Sequence, residues 1–397
     1  MTRAVDAPPS HVDMVIERPK HFATRGHDAA AARLLATLRH APPHALLILG
    51  PRGAGAGTLA RDAAALLLCA SPTHDGACGS CRSCNLVRAE SHADLSVVSP
   101  SGASDEIGIE PIRALAASLA LLPVEGGRRL ALIDRADRMS ESAQNALLKT
   151  LEEPPDRTHI ILAAAEDSAL MPTIRSRCAM MRIGLPDFIA SSELIASRLG
   201  VDAPTATRLL RIAGGRPGPL ITAGATGDAA RAHAQIRRQI LDLIDTPPHR
   251  RLGQLAPLIA DAASILTAGL DDDVGEDESS DGESADADAG AEARMAKTPA
   301  KRRAGAKPTA AERRAAASAL LRLWRGVARD LAVVAAGADE AVAFPEDLPE
   351  LRRAAVKRPP AAWVASLRSI ERALTALRRN ASPELLLDVV ALRWSRP

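Results

Sequence analysis

The chain has 397 residues, 47% of them hydrophobic, and a formal net charge of +2. It is long enough for two or three domains with separate cores, and its bulk charge gives no reason to expect binding to nucleic acid. Aromatic residues make up 2% and Tyr is absent, which argues against base stacking on aromatic platforms and leaves Leu, Ile, Val and Ala to build the cores.

No apolar run reaches the roughly 18 residues of a membrane span, and the stretch from Met1 to Pro19 lacks a signal-type apolar segment. A cytoplasmic protein with reduced thiols and no membrane partner is expected. The first strong element is an apolar strand, His44 to Leu49, running into Gly50-Pro51-Arg52-Gly53-Ala54-Gly55-Ala56-Gly57-Thr58. Gly50 and Gly55 have the G-x-x-x-x-G spacing of a phosphate loop, with Gly53 between them. Such a loop cradles phosphate with backbone N–H groups and a helix N-terminus, then needs a Lys to reach the β- and γ-phosphates and a hydroxyl to hold Mg²⁺. Ala56 and Gly57 occupy those two places. Thr58 comes one residue late, about 100° further round a helix. Gly50, Gly53 and Gly55 therefore form a degenerate cradle, and weak or no nucleotide binding is expected there.

A helix from Leu59 to Leu68 ends at Cys69, the first of four cysteines spaced C-x8-C-x2-C-x2-C through Cys78, Cys81 and Cys84. Four thiolates this close in a reducing compartment read as one tetrahedral Zn²⁺ site. The two-residue gaps let tight turns at Gly79-Ser80 and Arg82-Ser83 bring successive sulfurs to one ion. With four protein ligands, no position stays open for water, so the site reads as structural.

Residues 129–134, Arg-Leu-Ala-Leu-Ile-Asp, read as a short strand buried on both faces and delivering Asp134 at its C-terminal end, where open α/β sheets bind ligands. The next segment, AQNALLKTLEEPP from Ala143 to Pro155, is a helix with Ala143, Ala146, Leu147, Leu148 and Leu151 on one stripe and a stop at Pro154-Pro155. His159 to Ala164 gives another strand, and Ser176-Arg177-Cys178 follows. Cys178, far from the other cysteines, reads as a small packed residue.

Two short helical patterns lie within Leu185 to Leu220, followed by a turn over Ala213 to Pro219 in which Pro217 and Pro219 break the pattern and Arg216 is a turn residue without a ligand. Helices are expected at 230–243, 252–266, 310–336, 348–357, 361–377 and 383–394, the pattern of a bundle. Between the second and third, Asp271 to Glu292 carries eleven carboxylates and almost no large apolar residue, so it reads as a linker unable to fold alone. A basic run from Lys297 to Arg314 follows it.

The order of these motifs, above all NALLKTLEEPP followed by Ser176-Arg177-Cys178 and preceded by a four-cysteine module after the phosphate-loop helix, resembles the AAA+ subunits of bacterial DNA polymerase III clamp loaders. The resemblance implies an α/β plus all-α fold: an AAA+ P-loop-type parallel sheet with a zinc module, a small helical lid and a C-terminal helical collar. It implies an N-terminal tail at 1–14, the core at 15–183 with the zinc module at 69–84, the lid at 184–225, and a collar at 226–397 interrupted by the charged linker at about 268–309. Active members follow the strand-end Asp with a Glu that orients the attacking water. Here Asp134, in a degenerate second nucleotide motif, is followed by Arg135.

With the Lys, the hydroxyl and the Glu all missing, the resemblance implies a non-hydrolysing stator that donates Arg177 in trans as an arginine finger and helps load a sliding clamp onto primed DNA. Its implied partners are the ATPase subunits (gamma/tau) and the delta subunit, with the clamp and DNA reached through the complex. Two other readings stand beside this one. An ATP-hydrolysing motor subunit of the same machine is opposed by Ala56, Gly57 and Arg135. A zinc-containing DNA-binding protein outside replication is opposed by the weak net basicity and by the two intact motifs.

Overall fold

A computed structural model describes residues 21–101, 105–125, 127–267 and 309–394. The expected tail at 1–14, the acidic stretch 271–292 and the basic residues up to Lys307 lie outside the described residues. Contacts divide the chain into two compact units. One comprises residues up to Leu194 together with Gly215–Gly218, and the other Ile195–Gly214 with everything from Pro219 onward.

The first unit runs α1 (Asp28–His40), β1 (Ala45–Leu49), α2 (Ala56–Leu68), α3 (Arg82–Arg88), β2 (Leu95–Val98), α4 (Ile109–Leu119), β3 (Arg129–Ile133), α5 (Glu141–Glu152), β4 (Thr158–Ala164), α6 (Pro172–Arg175), β5 (Ala179–Arg182) and the start of α7 (Phe188–Leu199). Its five strands form one sheet in the order β2-β3-β4-β1-β5, and every neighbouring pair is parallel. The apolar runs of β1, β3 and β4 follow from that position. Successive side chains point to opposite faces, and both faces are covered, so no polar alternation is tolerated. Leu46, Ile48, Leu130, Leu132, Ile161 and Ala163 pack with Leu34, Leu59 and Ala63 of α1 and α2. Leu47, Leu49, Ala131, Ile133, Ile160 and Leu162 pack on the other side with Ile112, Leu115, Leu147 and Leu151 of α4 and α5.

The second unit is helical: α8 (Ala203–Ile212), most of α9 (Pro217–Ala223), α10 (Gly227–Asp242), α11 (Pro248–Thr267), α12 (Ala310–Ala335), α13 (Leu348–Ala355), α14 (Pro360–Arg378) and α15 (Pro383–Arg393). One apolar core joins Leu209, Leu220, Ile236, Leu258, Leu320, Leu331, Leu351 and Leu374. All three tryptophans are here, Trp324 and Trp363 each meeting Trp394 edge-on at centroid distances of 5.6 and 5.9 Å. Arg251, buried, donates to the carbonyls of Thr246 (2.7 Å) and Ala391 (3.0 Å) and to that of Trp394, satisfying the end of α15. Arg237 donates to Asp347 Oδ2 (2.6 Å) and to His233 Nδ1 (2.8 Å), its guanidinium 3.6 Å over the Phe344 ring.

The turn expected over Ala213 to Pro219 is shorter than that. Residues 213–215 form a turn, but α9 begins at Pro217. Proline at the first helical position has the right φ, and its missing N–H would have had no intrahelical partner. The two prolines therefore open a helix, and Arg216 is the residue just before it.

Candidate functional site

The glycines of the loop after β1 are fixed by close contacts. A Cβ on Gly50 would lie 2.3 Å from Ile183 Cγ1, so nothing larger fits where the loop leaves the sheet. Gly53 and Gly55 have φ of +71° and +119°, left-handed backbone that side chains disfavour. The carbonyls of this loop are engaged by protein donors. Gly53 O accepts from Gly218 N–H (3.0 Å), and Ala54 O accepts from His27 Nε2 (2.7 Å). Gly218 sits so close that a Cβ there would come within 2.8 Å of the Gly53 backbone.

Beyond the loop, the site departs further from a nucleotide pocket. Gly57, where a Mg²⁺-binding hydroxyl is required, faces the carboxylate of Asp134 so closely that a Cβ would be 2.7 Å from Oδ1. Thr58 is exposed. Arg61, one helical turn after Gly57, sends Nη1 to Asp134 Oδ2 (2.9 Å) and to Gly57 O (3.1 Å), and Nε to Glu90 Oε1 (2.8 Å). Burial pulls the Arg61 pKa down, but the hydrogen bond to Glu90 and the charge of Asp134 more than offset it, holding the guanidinium above its ordinary value. Arg135, with a left-handed φ of +54°, turns away to grip Asp105 with both terminal nitrogens. That hydrogen bond lowers the Asp105 pKa. The residues present do not fit a magnesium nucleotide: the phosphate-binding Lys and the Mg²⁺-binding hydroxyl are absent, and the carboxylate is already paired.

The second motif is intact and mechanically connected. Ser140 caps α5 by accepting from Ala143 N. Gln144, buried on the apolar stripe, donates Nε2 to the carbonyls of Met139 (3.1 Å) and Ala169 (3.0 Å), while its Oε1 accepts from Met171 N (2.8 Å). Met171 precedes α6, and the turn after α6 carries Arg177. At the other end of the helix, Glu152 Oε1 meets Arg177 Nη2 at 2.6 Å, and Arg177 Nη1 donates to Thr173 O at 3.0 Å. One helix therefore holds the turn that carries Arg177 at both its start and its tip. Arg175 points instead toward Asp167 (3.7 Å). Burial pushes the Cys178 thiol up to about 12, as suits a packed residue with no nucleophilic task.

The four clustered cysteines meet. Their sulfurs lie within 4.8 Å of one another, with Cys69–Cys81 at 4.0 Å and Cys78–Cys84 at 3.9 Å. Sulfurs about 2.3 Å from one tetrahedral ion stand about 3.8 Å apart, so the donor set and spacing suit a single thiolate-seeking ion. Cys69 ends α2, and Cys81 and Cys84 belong to the first turn of α3. Backbone N–H groups of Cys78, Cys81 and Cys84 point at the sulfurs of Cys69, Cys78 and Cys81 (3.3 to 3.4 Å). The N–H groups of Ser80 and Cys81 draw the Cys78 thiol down to about 6, whereas burial pushes Cys84 up.

Sequence reasoning missed Arg61, Glu90 and Gln144. Arg61 reads as an ordinary exposed position of a helix. The one available signal is its spacing of four from Gly57, a helical neighbour. Gln144 announces itself only as a polar residue beside Ala143 on an apolar stripe.

The parallel sheet with a phosphate-loop turn after its first strand, a carboxylate after its third and a helical second unit defines an AAA+ P-loop-type fold. Residues 28–186 match the family described as DNA polymerase III, delta subunit. The delta prime subunit of Pseudomonas aeruginosa is 40% identical over 175 residues, 44% of this chain and 53% of that one. Its counterpart in Escherichia coli is 32% identical over 175 residues, 44% and 52% of the respective chains. A gamma/tau subunit of Mycobacterium bovis is 37% identical over 134 residues, 34% of this chain and 23% of that one. Among solved structures, a gamma subunit-related protein from Thermotoga maritima aligns with 92% of this chain and 99% of its own at 15% identity and a TM-score of 0.40. Residues 28–186 thus resemble bacterial DNA polymerase III clamp-loader subunits, and the similarity there runs to delta prime subunits. The chain spans about half the length of the delta prime relatives it matches.

Proposed function

We propose that the chain is a delta prime subunit that acts in DNA replication as the non-hydrolysing stator of a clamp loader. In this reading Arg177 is a finger given in trans to nucleotide held by a neighbouring gamma/tau ATPase subunit. There its planar, permanently charged fork offsets charge developing on the transferring phosphoryl group. The delta subunit completes the assembly, which opens the sliding clamp and places it on primed DNA. The four cysteines hold a structural Zn²⁺, residues 184–225 act as the lid, and 226–397 form the collar that joins the ring.

The observation that carries the reading is a contrast within one sheet. The finger turn is tied to α5 through Gln144 and Glu152, whereas the chain's own pocket has Gly57 and a paired Asp134 in place of a metal site. In the lone chain Glu152 holsters Arg177. The pair is part-exposed at 34% and 49% of the side chains, so releasing it costs no more than about 1 kcal/mol. That is small beside the roughly 10³-fold or greater effect an arginine finger has on phosphoryl transfer.

The test is clamp- and primer-stimulated ATP turnover in an assembly of the cognate gamma/tau and delta subunits with this chain. The isolated chain with Mg²⁺ and ATP is the control. Turnover should require the chain and fall with Arg177→Ala by the share of the one site it serves. Turnover by the isolated chain, or full activity with Arg177→Ala, would overturn the reading.

A further inference from the structure

The loss of the Lys and hydroxyl removes two groups that hold a magnesium nucleotide, but it leaves open what balances Asp134. An unpaired carboxylate at the C-terminal end of a buried strand is costly, and in a P-loop ATPase the divalent cation offsets that cost. Here two features of α2 take over. Gly57 leaves room for the carboxylate to approach the helix backbone, since any Cβ would stand 2.7 Å from Oδ1 and 3.1 Å from Oδ2. Arg61 then brings one guanidinium nitrogen to both Asp134 Oδ2 and the Gly57 carbonyl, at 2.9 and 3.1 Å. A Cβ on Gly57 would also lie 3.1 Å from that same nitrogen, so the guanidinium occupies space beside the missing hydroxyl.

We propose that Arg61 is a built-in replacement for the divalent cation, a specificity-determining residue that excludes Mg²⁺ from Asp134 and ties that carboxylate to α2 whatever the nucleotide state. The geometry favours Arg over a simple positive charge. One guanidinium reaches two acceptors with Nη1 and still points Nε at Glu90 Oε1, 2.8 Å away, a fork that a Lys ammonium cannot reproduce. Glu90 follows α3, the helix carrying Cys84. A single side chain therefore links the end of β3, the phosphate-loop helix and the foot of the cysteine module. Arg135 plays no part in this link, because Asp105 holds it.

The inference deepens the non-hydrolysing reading, but the two fail separately. ATP turnover by the isolated chain defeats the function, whereas Asp134-dependent Mn²⁺ binding without turnover defeats the Arg61 proposal alone. The inference is tested with Mn²⁺ as probe, followed by electron paramagnetic resonance on the full chain preloaded with Zn²⁺, with and without ATP. Mn²⁺ prefers oxygen ligands and leaves the thiolate site alone. Wild type should show no Mn²⁺ binding that Asp134→Asn removes. Arg61→Ala should gain Mn²⁺ binding at least about tenfold tighter than any residual binding by the Arg61→Ala, Asp134→Asn double variant, and Mn²⁺ should raise the melting temperature of the single variant only.

Asp134-dependent Mn²⁺ binding by wild type would overturn the proposal. So would a folded Arg61→Ala protein that gains none. Should Arg61→Ala fail to fold, Arg61→Gln removes the charge while keeping a donor, and the same gain is required of it. The wild-type titration against Asp134→Asn needs neither variant.

Discussion

Replacing Gln144 by Leu keeps the volume of the side chain and removes its hydrogen bonds, which makes it a sharp probe of how α5 holds the turn that carries Arg177. Gln144 is 5% exposed, and its three bonds to Met139 O, Ala169 O and Met171 N run from 2.8 to 3.1 Å. A buried polar group left without a partner costs about 1–3 kcal/mol. The two carbonyls keep a second lone pair, so most of the penalty falls on the Met171 N–H. A total of about 2–4 kcal/mol follows, equivalent to roughly a 30- to 700-fold loss of protection. Tryptophan fluorescence would miss it, because Trp324, Trp363 and Trp394 all lie in the other unit. Hydrogen exchange read by mass spectrometry over residues 165–178 reports it directly. The Met171 amide should exchange faster by that factor, and the β4 amides should change little. A change below about threefold would mean that the turn is held by packing alone, and the proposed link from α5 to Arg177 would fall with it.

Two further outcomes are expected. Cys84→Ser should lower bound zinc from about one per chain toward zero, and α3 should lose exchange protection while β1 and β3 keep theirs; wild-type protein purified without chelator yet free of zinc would defeat the four-thiolate site. In the second unit, burial and the nearby Arg237 charge depress the His233 pKa well below its ordinary 6.5, so the fold favours neutral imidazole. The stability this provides is complete above pH 6.5 and declines as pH falls toward the depressed native value, by up to about 1.4 kcal/mol per pH unit. Urea midpoints by tryptophan fluorescence between pH 7 and 5 should show that decline. His233→Gln, which keeps an acceptor for Arg237 and does not titrate, should flatten it; an equal slope in both proteins would remove His233 from the account.

Much of the first unit was legible in the sequence because its signals are strong. Strands covered on both faces leave unbroken apolar runs, as over residues 45–49 and 160–164. The two-residue spacing of Cys78, Cys81 and Cys84 announces a shared ion, and Pro154-Pro155 announces the end of α5. The edge strands lacked such a signal. In β5 only Met181 is buried, and in β2 only Leu95, so neither leaves a pattern that stands out from a loop. Of the site, Arg177, Asp134 and the glycines were readable as positions, but their partners were not. Glu152 and Arg177 are 25 residues apart, and Glu90 and Arg61 are separated by the whole cysteine module. Such pairs follow from tertiary placement and leave no trace in local spacing.

The partners found at the ligand-binding edge of the sheet share a consequence. In a nucleotide-driven subunit, the groups at the strand ends must change partners as phosphate arrives and leaves. Here Asp134 is held by Arg61, Asp105 by Arg135, and Ala54 O by His27. Asp137 Oδ1 accepts from Ala165 N at 2.9 Å, and Gly53 O from Gly218 N at 3.0 Å. Each contact supplies internally what a ligand supplies elsewhere, so binding energy from ATP has few differential contacts through which to shift this edge. In the proposed reading Arg177 leans on a part-exposed pair with Glu152 that a neighbouring phosphate would displace at little cost. In the reading proposed above, a subunit whose own pocket is internally satisfied would hold a fixed shape while Arg177 answers nucleotide bound by another chain.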